Sequence, residues 1–144
     1  MATYRTSLSS PRPPADVFAY LARFSNAVGW DPGVVAAEDR SAGPPARGSA
    51  YRLVVRFLGL PVPLDYRIVE IDPPTRVVLQ AENTVVRSTD VIEVAPAPGG
   101  GSTIDYQASL ITKGLSAVLA PLVAVAFRRI GDRAAAGLRA ALAS

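Results

Sequence analysis

In the stretch "TVVRSTDVIEV", Ser88 and Asp90 stand two residues apart. A β-strand repeats every two residues, so both side chains share a face with Val86, Ile92 and Val94. The opposite face carries Val85, Arg87, Thr89, Val91 and Glu93. The apolar register is ambiguous, and the face of Ser88 and Asp90 is favoured as the inward one. A carboxylate turned into an apolar interior has a raised pKa through desolvation, which suits it to act as an acid or a base. In the other register Asp90 is a surface charge, and Arg87 or Glu93 takes its place. Tyr51, Tyr66 and Tyr106 lie on the apolar sides of three further alternating runs. Each could bring a hydroxyl donor into an apolar pocket, or sit in the core with that hydroxyl satisfied by backbone or water.

Composition narrows the chemistry. The chain of 144 residues has no Cys and no His. Thiolate nucleophiles, disulfides and cysteine metal sites are excluded together, as are the usual neutral-pH base and the commonest zinc ligand. Catalysis would fall to carboxylates, tyrosines, lysine or arginine, with Asp90 and Tyr106 as the candidate pair. Neither a metal nor a cofactor is expected. "GGGS" at 99–102 reads as a hairpin tip, without the helix that a phosphate cradle needs. Lys and Arg total 15 against 12 Asp and Glu, a net charge of +3, and Lys113 is the one lysine. The arginines are scattered apart from Arg128, Arg129 and Arg133. They read as solvated surface rather than the continuous stripe that nucleic acid requires.

The stretch "NAVGWDPGV" places the lone tryptophan, Trp30, in a segment broken by Gly29, Pro32 and Gly33. The indole either caps the core over the first helix or walls the mouth of a pocket. The flanking Gly and Pro residues would let the segment move as a lid. Asp31 reads as a turn residue that bonds nearby backbone.

These residues need elements to position them. "TYRTSLS" alternates as a strand. "PPADVFAYLARF" spaces Val17, Phe18, Leu21 and Phe24 three and four apart, with prolines at the start and Asp16 near the positive end, and reads as a helix. "VVAAEDR" is a weak strand. "SAYRLVVRFLG", "LPVPLDYRIVEID", "TRVVLQAE", "TVVRSTDVIEVAP" and "STIDYQASLI" are five stronger ones. From Lys113 the period changes to that of a long amphipathic helix of roughly 25–30 residues, with Leu115, Leu119, Leu122, Ala126, Ile130, Leu138 and Leu142 near one side. Pro121 either bends this helix or opens its main part after a shorter lead-in. Strands and helices segregated in this way point to an α+β domain with an antiparallel sheet and a helix packed on one face. The length suggests one domain over 1–144. No signal segment is visible, and no apolar run reaches the roughly 20 residues that a membrane span needs. A soluble, cytoplasmic protein is expected.

That order of elements resembles the START/Bet v 1-like superfamily (SRPBCC), in particular its bacterial polyketide cyclase/dehydrase and lipid transport branch. The resemblance is carried by "PADVFAYLARFSNAVGWDPGV", "YRIVEIDPPTRVVLQA", "VIEVAPAPGGGSTIDYQASL" and the long terminal helix. It implies a helix-grip: a curved seven-stranded antiparallel sheet wrapped around the C-terminal helix, with a short helix pair after the first strand closing one end of a cavity. In that arrangement Tyr51, Leu53, Val55 and Phe57 point inward, as do Leu64, Tyr66 and Ile68, and Ile104, Tyr106, Ala108 and Leu110. The expected ligand-binding set is Trp30, Tyr51, Leu53, Val55, Phe57, Tyr66, Ile68, Ser88, Asp90 and Tyr106, joined by Leu119 and Val123 from the helix.

The family's activities are diverse, so fold does not fix function. The leading expectation is binding or transport of a small hydrophobic ligand, such as a lipid, polyketide or isoprenoid. The alternatives are a polyketide cyclase, aromatase or dehydratase, and a protein-interaction or stress-response module with a filled interior. Neither a nucleic-acid partner nor a membrane span is expected. Peripheral membrane contact through Arg128 and Arg129 stays open, as does the choice of monomer or homodimer.

Overall fold

The computed structural model describes the backbone of residues 1–144 and the side chains of all but 115 and 116. The first strand, β1 (Ala2–Ser10), leads into helix α1 (Pro14–Ala22) and a 3-10 helix (Phe24–Gly29). Six strands follow: β2 (Val34–Asp39), β3 (Ala50–Phe57), β4 (Leu60–Asp72), β5 (Arg76–Glu82), β6 (Val86–Pro96) and β7 (Ser102–Thr112). A 3-10 lead-in (Gly114–Leu119) then opens helix α2 (Ala120–Leu142).

All seven strands form one antiparallel sheet in the order β1-β7-β6-β5-β4-β3-β2. From β2 onward the chain meanders strand by strand until β7 pairs with β1. The α1 segment therefore carries the chain from one sheet edge to the other. Bulges in the β2–β3 and β4–β5 pairings add twist to one side of the sheet. The result is the curled half-barrel around a long C-terminal helix that the alternating runs imply.

Local chemistry explains the closing elements. Pro13 caps α1, Pro14 starts it and Asp16 lies in its first turn, where a missing N–H costs nothing and a negative charge is favoured. Val17, Phe18, Leu21 and Ala22 are buried as one stripe. Pro121 likewise sits in the first turn of α2, so of the two roles left open for it the structure shows the second.

The face expected for α2 is corrected over its first turns. Leu119 is 50% exposed and Leu122 is 54% exposed. Leu119 belongs to the 3-10 lead-in, whose tighter winding puts the first turns out of phase with the expected face, while Ile130, Leu138 and Leu142 lie inward as expected. Counted from Ala120, the inward stripe is Val123, Phe127, Ile130, Ala134, Leu138 and Leu142, spaced four, three, four, four and four apart. The facing of Leu115 lies outside the described side chains.

Helix α2 lies along β1. The Tyr4 hydroxyl donates to Asp132 Oδ1 at 2.8 Å, the Arg139 guanidinium to Thr6 Oγ1 at 3.1 Å, and the Ser10 hydroxyl to the Leu142 carbonyl at 2.7 Å. The last bond satisfies one of the carbonyls that a helix end leaves open. Two glycines allow close approach. A Cβ at Gly131 would stand 2.5 Å from the Tyr4 ring, and one at Gly137 would collide with the Trp30 carbonyl. Among the described residues no helix is long and apolar enough to cross a membrane.

Candidate ligand cavity

Between the concave face of the sheet and α2 lies a hollow of about 120 Å³. Residue size explains it. Where α2 passes over the sheet it offers Gly131, Ala134 and Ala135, and the sheet offers Ala108. Four small side chains leave a gap that larger ones would fill, in an interior that otherwise packs like a crystal. The walls are apolar: Leu53, Val55 and Phe57 from β3, Leu64 from β4, Leu110 from β7, and Phe127, Ile130 and Leu138 from α2.

Polar groups are set into these walls, with Asp90, Ser88, Tyr66 and Tyr106 among them. Asp90 is 7% exposed. Its Oδ2 accepts a hydrogen bond from the Tyr106 hydroxyl. Ala108 stands opposite Asp90 on β7 and Leu79 opposite it on β5, so the carboxylate has apolar neighbours across both pairings. Burial pushes its pKa up to about 7. The Tyr106 and Ser88 hydroxyls hold it down somewhat, and the charge of Asp31 adds to the rise. The Tyr66 hydroxyl and Ser88 Oγ share a hydrogen bond of 2.8 Å. Burial, and then the charge of Asp90, raise the pKa of Tyr106 and of Tyr66, so both stay neutral donors.

Aromatic contacts fix the two tyrosines. Trp30 meets Tyr106 at 5.7 Å between centroids and 70° between planes. Phe24 meets Tyr66 at 4.9 Å, also at 70°. Both are edge-to-face geometries that add to area burial. The two roles weighed for Trp30 coincide: it is 6% exposed within the core, and it lines the hollow. Asp31 does what a turn residue does, accepting the Gly33 N–H at 2.8 Å. It also borders the hollow, and burial raises its pKa against that hydrogen bond.

The structure thus brings Trp30, Leu53, Val55, Phe57, Tyr66, Ser88, Asp90 and Tyr106 to one cavity. It does not bring four others there. Tyr51 and Ile68 are buried, at 2% and 1% exposure, but line no part of the hollow. Tyr51 lies one pleat beyond Leu53 and borders a separate recess with Arg40, Asp65 and Arg67. Val123 is buried one turn before Phe127, the first α2 residue to reach the hollow, and Leu119 is on the surface. Lining residues not anticipated include Tyr4, Phe24, Asp31, Phe127 and Ala134. Counting the helical period from Ala120, where α2 starts, would have found the last two.

Chemically, the site presents a largely apolar pocket whose lining carries two carboxyls, Asp31 and Asp90, and the hydroxyls of Tyr4, Thr6, Tyr66, Ser88 and Tyr106. Residues 1–143 match a family profile described as polyketide cyclase / dehydrase and lipid transport. The chain belongs to this family. Its fold is that of the START-like proteins. The chain is similar to a START superfamily protein from Mycobacterium smegmatis at 10% identity, with 99% of this chain and 97% of that one covered and a TM-score of 0.79. It is similar to a protein of Thermus thermophilus at 17% identity, with 97% and 96% covered and a TM-score of 0.78. A protein of Thermobifida fusca is 26% identical over 94% of this chain and 95% of that one, with a TM-score of 0.57. No protein with a curated description matches by sequence. These solved structures share the fold of this chain.

Proposed function

We propose that residues 1–144 form a single domain that binds a small hydrophobic ligand with one polar end. The apolar body would lie against Leu53, Val55, Phe127 and Leu138, and the polar end would meet Asp90, Tyr106 and Ser88. The observation that carries this reading is the hollow itself: a largely apolar recess with a few hydrogen-bonding groups set into its wall, as ligand sites are generally built. Membership of a family described by lipid transport supports it. The test is a thermal-shift and Trp30-fluorescence panel of fatty acids, sterols, aromatic polyketides and ring-sized compounds. A native-state ligand at 100 times its Kd stabilises by about 2.7 kcal/mol. A panel in which nothing raises the melting temperature or alters Trp30 emission defeats the proposal.

A second reading has its own observation. A carboxyl with a pKa of about 7 is suited to general acid–base work at neutral pH, and Tyr106 beside it is a neutral donor. A cyclisation or dehydration of a polyketide-like substrate would use Asp90 to move the proton. Asp90→Asn should then lower turnover by about 10²–10⁴-fold while binding persists. Unchanged turnover removes Asp90 from any such role.

A further inference from the structure

We propose that the ligand's polar end is a protonated amine, seated between the Asp90 carboxylate and the rings of Trp30, Tyr66 and Tyr106. This deepens the ligand-binding reading above and rests on it.

The charge distribution carries the inference. Cations outnumber acids in the chain, 15 to 12. Yet the described residues that line the hollow include two carboxylates, Asp31 and Asp90, and no Lys or Arg. The arginines pair with acids on the outer faces, as Arg5 does with Asp105, Arg76 with Glu70 and Glu93, and Arg87 with Glu82. Asp90 is more than nine-tenths buried and is drawn toward its charged form only by the hydroxyls of Tyr106 and Ser88. A buried carboxylate without a positive partner is costly, and a cation that arrives with the ligand offsets that cost.

The three classes of polar end fare differently here. An anionic end would be repelled by both Asp90 and Asp31. A neutral end gains hydrogen bonds but no charge pairing. An ammonium donates to the Asp90 carboxylate, and the neighbouring hydroxyl oxygens accept its remaining hydrogens. Trp30, Tyr66 and Tyr106 also line the hollow, and aromatic rings of this kind attract cations. Size sets a further limit. A void of roughly 150 Å³ in another protein core takes up benzene, and the hollow of about 120 Å³ is on that scale. A ligand that the hollow accommodates as it stands is therefore an amine on a single ring or a short chain.

The test uses three probes of one shape: benzylamine, ethylbenzene and phenylacetate. Affinities are measured by calorimetry at pH 8 and pH 5.5. At pH 8 an alkylamine is still charged and Asp90 is ionised, so benzylamine should bind about tenfold or more tighter than ethylbenzene, with phenylacetate weakest. At pH 5.5 Asp90 is protonated, and the advantage of the amine should shrink by about tenfold, while ethylbenzene is unmoved. Asp90→Asn should abolish the preference at pH 8 and keep ethylbenzene binding. If that variant does not fold, the comparison of the two pH values in the unaltered protein decides alone. The proposal is overturned if ethylbenzene or phenylacetate matches benzylamine at pH 8, or if the amine's affinity is the same at both pH values. It is also overturned if only neutral or anionic members of the wider panel bind, in which case the ligand-binding reading stands without it. Failure of every compound removes both.

Discussion

The indole of Trp30 and the ring of Tyr106 meet edge to face at 5.7 Å, and the hydroxyl of that same tyrosine donates to Asp90. A single chain of contacts thus runs from a Gly- and Pro-bounded turn to a buried carboxyl in the middle of the sheet. Tyr106 holds the two together, with its ring fixed by one partner and its hydroxyl by the other.

Tyr106→Phe keeps the ring and deletes the donor. That hydrogen bond favours the charged carboxylate, so its loss should move the Asp90 midpoint further above 7. A hydrogen bond to a charged group contributes about 1.5–3 kcal/mol, or roughly one to two pH units. Carbon-13 NMR titration of the aspartate carboxyls in both proteins measures the shift. A midpoint that stays put or falls would contradict the described contact.

The raised pKa of Asp90 also fixes the sign of a stability change. The unfolded carboxyl titrates near 3.8 and the folded one near 7. Between those values the native state binds the extra proton, so stability falls as pH rises through that window and is level above it. Asp90→Asn removes the titration and can still accept from Tyr106. It should therefore be more stable than the parent at pH 8, by on the order of a few kcal/mol, and show little gain at pH 4. Urea melts of both proteins at the two pH values provide the comparison.

Replacing a helical glycine with alanine ordinarily stabilises by about 1 kcal/mol. Gly137→Ala should do the reverse. The added methyl would occupy the space of the Trp30 carbonyl oxygen, which is backbone and cannot swing aside. A loss of about 1–3 kcal/mol is expected, as for other overpacked sites. Thermal melts would reveal the sign, and a stabilised variant would mean that α2 does not press on the turn.

Ala134→Leu places a branched side chain where the hollow now lies. Ligand affinity should drop about tenfold or more, the equivalent of about 1.4 kcal/mol or above, while the fold persists. Leu119→Ser, on the exposed lead-in, should leave affinity within the roughly ±0.5 kcal/mol typical of surface changes. Titration of both variants with any ligand that binds the parent separates the cavity from the surface.

Much of this architecture is legible in the sequence, and what is not has physical causes. Alternation reveals which way a side chain points, so Leu53, Val55, Phe57, Tyr66 and Tyr106 are correctly turned inward. It does not reveal how far along the strand the interior stays open. Tyr51 and Ile68 point the right way and still miss the hollow. The run that forms β6 is ambiguous because Val91, and Val85 just before the strand, put apolar side chains on its outer side. The choice is made by neighbouring strands, since Leu79 and Ala108 flank Asp90 on the inner face. Leu119 is misplaced because six residues of 3-10 winding precede the α-helix and no side chain announces them. Asp31 lies in a turn, where periodicity has nothing to say about facing.

The fastening of α2 to β1 is lopsided. Among the described residues its side-chain bonds to β1, through Asp132, Arg139 and the Leu142 carbonyl, fall in the second half of the helix, where Gly137 also seats against the Trp30 carbonyl. In the first half Val123 is the one buried side chain, with Leu122 and Val125 facing outward. A rod pinned at one end yields most easily at the other, so amide exchange should slow progressively from Val123 toward Leu138. Should exchange follow that gradient, a longer guest would gain room at the Val123 end of the helix while the Leu142 end keeps its grip.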